Sequence, residues 1–334
     1  MKRFLITILL FVGIPQILLV GIYVWTDPFR CLHAFDINDV DATNRDYLST
    51  ELFLRNDPMY HYNSFIFASS RGGGMNTYQW KQYLPDGAQP FLFQAWSESL
   101  TGIEMKINYL NEHNIPIDNA LILFDIPGSF VDRQVLSDAL SMKHYTYMGK
   151  SKFEYNAKQF YNFIQKPSLW ISNIKNTIRG VRIPYQSDTI TNDYYASNRD
   201  NFDTIPQQDS LQNCSEIVRT SFISKVEHNK SNSQSISDPQ ITECFKKQLE
   251  HIKRIFDENK TDYYIILTPG CCYTEPSINP KDLSILQEIF GENRVYNYTG
   301  KNAYTEDYNN FSDPGHFGLR VGYQIIEDIY VNKE

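Results

Sequence analysis

The sequence has no Cys-x-x-Cys pair, and its seven histidines are scattered along the chain. The usual zinc spacings are therefore missing, and a metallophosphatase fails on ligand count. Five cysteines are present, an odd number, and Cys271 and Cys272 are adjacent, a placement that bridges only with strain. A Cys214–Cys244 disulfide in an oxidising compartment is the pairing left open. Long basic runs are also absent from a chain of formal net charge −8, so nucleic acid is not an expected partner. Internal repeats are lacking, and only one stretch of the 334 residues is apolar for long enough to cross a membrane.

That stretch is the N-terminus. Lys2 and Arg3 precede an uncharged apolar run from Phe4 to Trp25. At 1.5 Å per residue it spans roughly 33 Å as a helix, enough for a bilayer core of about 30 Å. Tyr23 and Trp25 stand where interfacial aromatic anchors belong, and the basic pair should stay cytoplasmic. A cleaved signal peptide is the competing reading. Its apolar region is normally shorter, about 7–15 residues, with a small-x-small site behind it, and no Ala-x-Ala follows here. The expectation is an uncleaved single-pass anchor over residues 1–26 and an extracytoplasmic domain over 27–334.

After a mixed, polar stretch to residue 60, several short apolar runs end in turn residues. "FIFASSRGGG" (65–74), "PFLFQAW" (90–96), "LILFDIPGSF" (121–130), "TDYYIILTPG" (261–270) and the weaker "NRVYNYT" read as strands. Helical patterns lie between them, at 100–113 and about 239–258, and a last one closes the chain. Continuous apolar strands alternating with helices predict an α/β domain of three α/β/α layers around a mainly parallel sheet. Ligands of such sheets bind outside the carboxyl ends of the strands. Residues 145–237 differ, being rich in Tyr, Asn, Ser, Gln and Asp. They read as a polar, partly helical insertion, with helices at "FEYNAKQFYNFIQ" and "LWISNIKNTIRG" and long loops over 186–237.

Two short segments carry chemistry. In "FIFASSRGGG" a serine follows a buried strand on a turn of small residues, where its hydroxyl can face a cleft. Backbone N–H groups of such a turn can stabilise an oxyanion. Serine needs a base, and the base an orienting carboxylate. In "FSDPGHFG" (311–318), Asp313 and His316 are three apart across Pro-Gly. The carboxylate can accept from the imidazole Nδ1–H, leaving Nε2 as the base. Each segment has an ordinary explanation as well: a turn after a strand, and a helix start with Asp313 as N-cap and Pro314 in the first turn.

In this order, nucleophile after the first strand and Asp-x-x-His before the last helix, the sequence resembles the SGNH (GDSL-like) hydrolase superfamily. The likeness is to its membrane-anchored, envelope-facing branch, which includes teichoic-acid D-alanylation and alginate-type O-acetylation proteins. "TDPF" (26–29), "FIFASSR", "LILFDIPGSF", "YYIILTPG" and "DPGH" follow that layout. The resemblance implies a flavodoxin-like sheet, Ser70 as nucleophile, His316 as base and Asp313 as its orienter, with no metal or organic cofactor. It covers the anchor and the sheet but not the 145–237 insertion. The sequence departs from the family at the first-block glycine, which is Ala68, and at the third block, where Gly-x-Asn-Asp is replaced by "FDIPGS". The second-block glycine lacks a clear counterpart in "QAWSESLTG", where Ser97 or Ser99 stands in. Ser69, Arg71 and Asp125 are the remaining candidates for the cleft. Arg71 reads equally well as a binder of a sugar acid or phosphate and as the partner of a carboxylate beneath the site.

Two expectations follow. One is a membrane-anchored serine acyl-esterase or O-acyltransferase, acting on a cell-envelope or exported polysaccharide and paired with a membrane-bound acyltransferase that supplies acyl groups. The other is a catalytically weak or inactive glycan-binding or assembly factor on the same scaffold.

Overall fold

The computed structural model describes residues 2–33, 44–131, 141–165, 171, 174–175, 178, 216–231 and 234–331. Strands β1 (Ser64–Ala68), β2 (Pro90–Gln94), β3 (Asn119–Phe124), β4 (Asp262–Leu267) and β5 (Val295–Asn297) form one all-parallel sheet in the order β2-β1-β3-β4-β5. The chain steps outward from β1 to β2, then returns to pair β3 with the other side of β1. The strand order thus reverses between β1 and β3, and a crevice opens at the carboxyl ends of such a pair.

The apolar runs are continuous because both faces are buried, as parallel pairing demands. Phe65 and Phe67 of β1 enter one core, Ile66 and Ala68 the other. The first core is closed by α3 (Arg45–Tyr60), α5 (Leu100–Glu112), α6 (Lys152–Ile164), α8 (Glu243–Asn259) and α9 (Pro280–Phe290). The second is closed by α4 (Thr77–Lys81), α7 (Glu216–Asn229) and α10 (Leu319–Tyr330). At the N-terminus, helices α1 (Lys2–Ile8) and α2 (Ile14–Thr26) flank a wider turn at Leu9–Gly13. The 18 residues Leu9–Thr26 make a helical segment long and apolar enough to cross a bilayer.

"TDPF" has a local function. Asp27 ends α2 in a left-handed conformation, and its buried carboxylate accepts from the amides of Cys31, Leu32 and His33 at 3.1, 3.2 and 2.9 Å. Phe29 turns back beside Tyr23, with ring centroids 6.4 Å apart. The motif thus fixes the exit of the chain from the apolar helix.

Two parts of the fold differ from the sequence reading. The mixed stretch before residue 60 contains α3, capped by Asn44, whose side chain accepts from Tyr47 N–H at 3.2 Å. Its apolar pattern is obscured because Arg45, Asp46, Ser49 and Thr50 are buried along with Tyr47, Leu52 and Phe53. The second is α7, which lies in a segment read as loop yet buries Phe222 and Val226 in the second core. The weaker strand read in "NRVYNYT" is present as β5, three residues long. Helix α6 falls where expected, whereas most of 169–180, most of 186–237 and Cys214 lie outside the described residues.

Phe53 is fully buried against Phe65, Phe91 and Phe93, with ring centroids 6.0, 5.4 and 5.0 Å away. Truncating such an aromatic removes its burial and leaves a cavity. Phe53→Ala is expected to destabilise the domain by about 3–5 kcal/mol, and Phe53→Leu by less than half of that, read from denaturant unfolding midpoints.

Candidate active site

Ser69 and Ser70 follow β1 directly and open a short 3-10 turn, Ser70–Gly74. The two serines have different surroundings. Ser69 is buried, and its hydroxyl accepts from Arg71 N–H at 3.1 Å while donating to Asp125 Oδ2. Ser69, a candidate for the cleft by sequence, therefore supports the turn instead of lining the cleft. Ser70 is half-exposed, and its hydroxyl is 2.8 Å from His316 Nε2.

His316 comes from a closed turn, not from a helix start. Phe311 and Phe317 bridge across it, and Ser312 N–H donates to His316 O at 2.9 Å. The residue that caps α10 is Gly318, so Asp313 is not its N-cap. Asp313 instead folds its own turn: Oδ1 accepts from the amides of Gly315 and His316 at 2.9 and 3.0 Å. The same carboxylate receives His316 Nδ1–H, with Oδ2 at 2.7 Å. With Nδ1 carrying the proton, Nε2 is left to accept the Ser70 hydroxyl. Ser70, His316 and Asp313 thus form one hydrogen-bonded chain at the carboxyl end of the sheet, and the His316 side chain remains 34% exposed to an incoming molecule.

Two glycines let the turns meet. A Cβ on Gly74 would overlap the ring of Phe317, the residue after the histidine. On Gly315 it would lie 2.6 Å from the Arg71 guanidinium. Arg71 is the strut between the turns. Its Nη2 donates to Glu275 Oε2 at 2.9 Å, its Nη1 to Thr268 Oγ1 at 3.3 Å, and its Nε is 3.8 Å from Asp125 Oδ2. With its side chain 12% exposed and these partners, Arg71 answers the two-way reading in favour of a carboxylate partner beneath the site. Asp125, at the end of β3, also accepts from Thr268 Oγ1 at 3.0 Å, and its own amide donates to Ser129 Oγ at 2.8 Å.

The loop after β2 carries the other candidates. Ser97 is exposed with φ of 52°, a left-handed conformation that favours glycine. Ser99 serves the start of α5: its carbonyl accepts from Ile103 N–H at 3.0 Å, and its amide donates to Glu98 Oε1 at 3.1 Å.

Residues that hold this loop and the nucleophile turn escaped the sequence reading. Gln94 Nε2 donates to the Ser70 carbonyl at 3.1 Å, and Gln94 Oε1 accepts from Arg45 Nε at 3.1 Å. Beneath the loop, buried Glu98 is paired with Lys106 and Lys143, and Lys106 also with Asp46. Burial opposes a charge on Asp46, yet Lys106 and Lys143 hold its carboxyl down at about 2. Removing one member of such a cluster strands its partner and costs about 3–5 kcal/mol.

Burial also opposes the charged forms of Asp313 and His316, and their mutual bond outweighs it. The Asp313 carboxyl is held at about 2 by the imidazole and the two amides. For His316, burial and Arg71 lower the affinity for a proton, while Asp313 and Asp125 raise it, and the net direction is up. Burial pushes the Cys271 and Cys272 thiols up, so neither is an activated thiolate. Among the described residues, no group of three or more His, Cys, Asp or Glu is placed to hold a metal ion. No protein-family model matches the chain, and no curated protein matches it.

The His316 imidazole is expected to titrate above the ordinary histidine value of about 6.5 when followed by NMR. Asp313→Asn should move that midpoint downward, because the anion that favours the imidazolium is gone. An unshifted midpoint in Asp313→Asn would contradict the pairing.

Proposed function

We propose that the chain is a membrane-anchored, SGNH-like serine acyl-esterase or O-acyltransferase. The observation that carries this reading is the Ser70–His316–Asp313 chain, with Oγ–Nε2 at 2.8 Å and Nδ1–Oδ2 at 2.7 Å. The β2-β1-β3-β4-β5 order, with a serine just after β1 and Asp-x-x-His just before the last helix, supports the family assignment.

In this reading Ser70 Oγ attacks the ester carbonyl and passes its proton to His316 Nε2. The tetrahedral intermediate collapses as Nε2–H protonates the departing alcohol oxygen, leaving an acyl group on Ser70. Water or a sugar hydroxyl then gives its proton to Nε2 and attacks the acyl carbon, and Nε2–H returns a proton to Ser70 Oγ as the acyl–Oγ bond breaks. Water gives an esterase, and a sugar hydroxyl a transferase. Asp313 holds His316 in the required tautomer and stabilises the imidazolium. The Ser70 amide, in the first turn of the 3-10 segment where N–H groups lack intrahelical partners, is one oxyanion donor. The substrate class, an acyl ester of a cell-envelope or exported polysaccharide, comes from the family likeness and the anchor. Lys2 and Arg3 keep the N-terminus cytoplasmic, which puts residues 27–334 outside the membrane. Acyl groups for a transferase would reach that side through a membrane-bound acyltransferase.

One observation favours the glycan-binding reading. Where the family carries a donating asparagine, this chain has Asp125, a carboxylate engaged with Ser69, Thr268 and Arg71. A carboxylate accepts and does not donate, and loss of one oxyanion donor costs about 10²–10³ in kcat. Hydrolysis of p-nitrophenyl acetate by the full chain in detergent separates the two. Ser70→Ala is expected to lower kcat/KM by about 10³-fold or more and Asp313→Asn by up to about 10⁴, with folding intact. A rate unchanged in Ser70→Ala would contradict the triad and favour the binding reading.

A further inference from the structure

The apolar N-terminal helix is not isolated from the domain. Tyr23, in the last turn of α2, is 3% exposed, and its ring meets Phe160 and Phe163 of α6 with centroids 5.2 Å away in each case. Tyr23 also belongs to the Leu9–Thr26 segment that is long and apolar enough to cross a bilayer. The last turn of α6 is therefore level with the C-terminal end of that segment.

The face of α6 turned away from the domain has the wrong character for water. Tyr155, Gln159, Asn162 and Phe163 are buried. On the outer side, Phe153 is 81% exposed, Tyr161 52% and Ile164 36%, with exposed Ala157 between them. Steps of four, four and three residues put these on one stripe of the helix. A helix covered only by solvent presents polar residues there. Lysines flank the stripe: Lys158 Nζ is 5.0 Å from the centre of the Tyr161 ring, and the Lys152 side chain is half exposed. Aromatic and aliphatic side chains bordered by lysines are the composition of a helix lying in the headgroup region.

We infer that α6 is an interfacial helix, whose Phe153–Ala157–Tyr161–Ile164 stripe rests on the lipid surface that α2 enters. The inference rests on reading α2 as a membrane anchor. Its occupant is lipid because Tyr23 fixes α6 beside the end of the membrane-length helix, and the exposed apolar surface of α2, including Val24 and Trp25, adjoins that contact. Two points of attachment then set the tilt of the domain, which a single helix leaves free. The same helix stacks Tyr155 on Tyr47 of α3 at 5.2 Å. Helix α3 begins with Arg45, which bonds Gln94, which bonds the Ser70 carbonyl. The lipid contact is thus tied to the nucleophile turn through packed and hydrogen-bonded neighbours.

The test places benzoylphenylalanine, one position at a time, at Phe153, Tyr161, Trp25 and Tyr78 of the full chain in phosphatidylcholine–phosphatidylglycerol vesicles. Adducts are identified by mass spectrometry after irradiation. Trp25 reports on the anchor, and Tyr78, 73% exposed on α4, is the solvent control. Lipid adducts at 153 and 161 as well as at 25, and none at 78, are the expected result. Adducts at 25 with none at 153 and 161 overturn the interfacial helix while leaving the anchor intact. A cross-link from 161 to a second copy overturns it in favour of a protein contact. Absence of lipid adducts at 25 overturns the anchor, and the inference with it.

Discussion

A buried carboxylate holds the carboxyl end of the sheet together. Asp125 ends β3, receives the hydroxyl of Ser69 from the end of β1 and that of Thr268 from the end of β4, and neighbours the Arg71 guanidinium. Three adjacent strand ends are thus joined through one side chain. Arg71 extends the connection to Glu275 and packs on Gly315, inside the turn that carries His316. The Ser70–His316 contact joins segments 246 residues apart in sequence, and it is this buried polar scaffold that brings them together. A fully satisfied network of this kind rigidifies its surroundings, whereas a half-satisfied one is costly, so the residues beneath the site are as constrained as those in it.

The division of labour between Ser69 and Ser70 follows from this scaffold. Adjacent residues leaving a strand point in different directions, and here one goes down to Asp125 and the other up to His316. An arginine immediately after Ser70 then places its backbone N–H on Ser69 and its guanidinium under the histidine turn. The glycines of "RGGG" and "DPGH" answer the same need for close approach. Gly74 admits Phe317, and Gly315 admits Arg71.

Much of this was legible in the sequence because the relevant signals are local. Strands buried on both faces read as unbroken apolar runs, and the Ser and Asp-x-x-His segments each fit within a few residues. What escaped has its cause at long range. Asp46 and Lys106 are 60 residues apart, Glu98 and Lys143 45 apart, and only the fold makes their burial tolerable. Helix α3 is hidden in the sequence for the same reason. A periodicity reading takes Arg45, Asp46, Ser49 and Thr50 as solvent-facing, whereas here they are buried against partners from other segments. Likewise, nothing in "QAWSESLTG" announces that Ser97 adopts a left-handed backbone or that Glu98 turns inward to two lysines.

In the proposed reaction Ser70 is an activated nucleophile, and activation is what a fluorophosphonate probe reads. The full chain in detergent would be exposed to the probe and the modified residue mapped by mass spectrometry. The expected result is a phosphonyl adduct on Ser70 and none on Ser69, lost when His316 is replaced by alanine in a protein that still folds. A folded chain that takes up no probe, or takes it up equally well without His316, would contradict it.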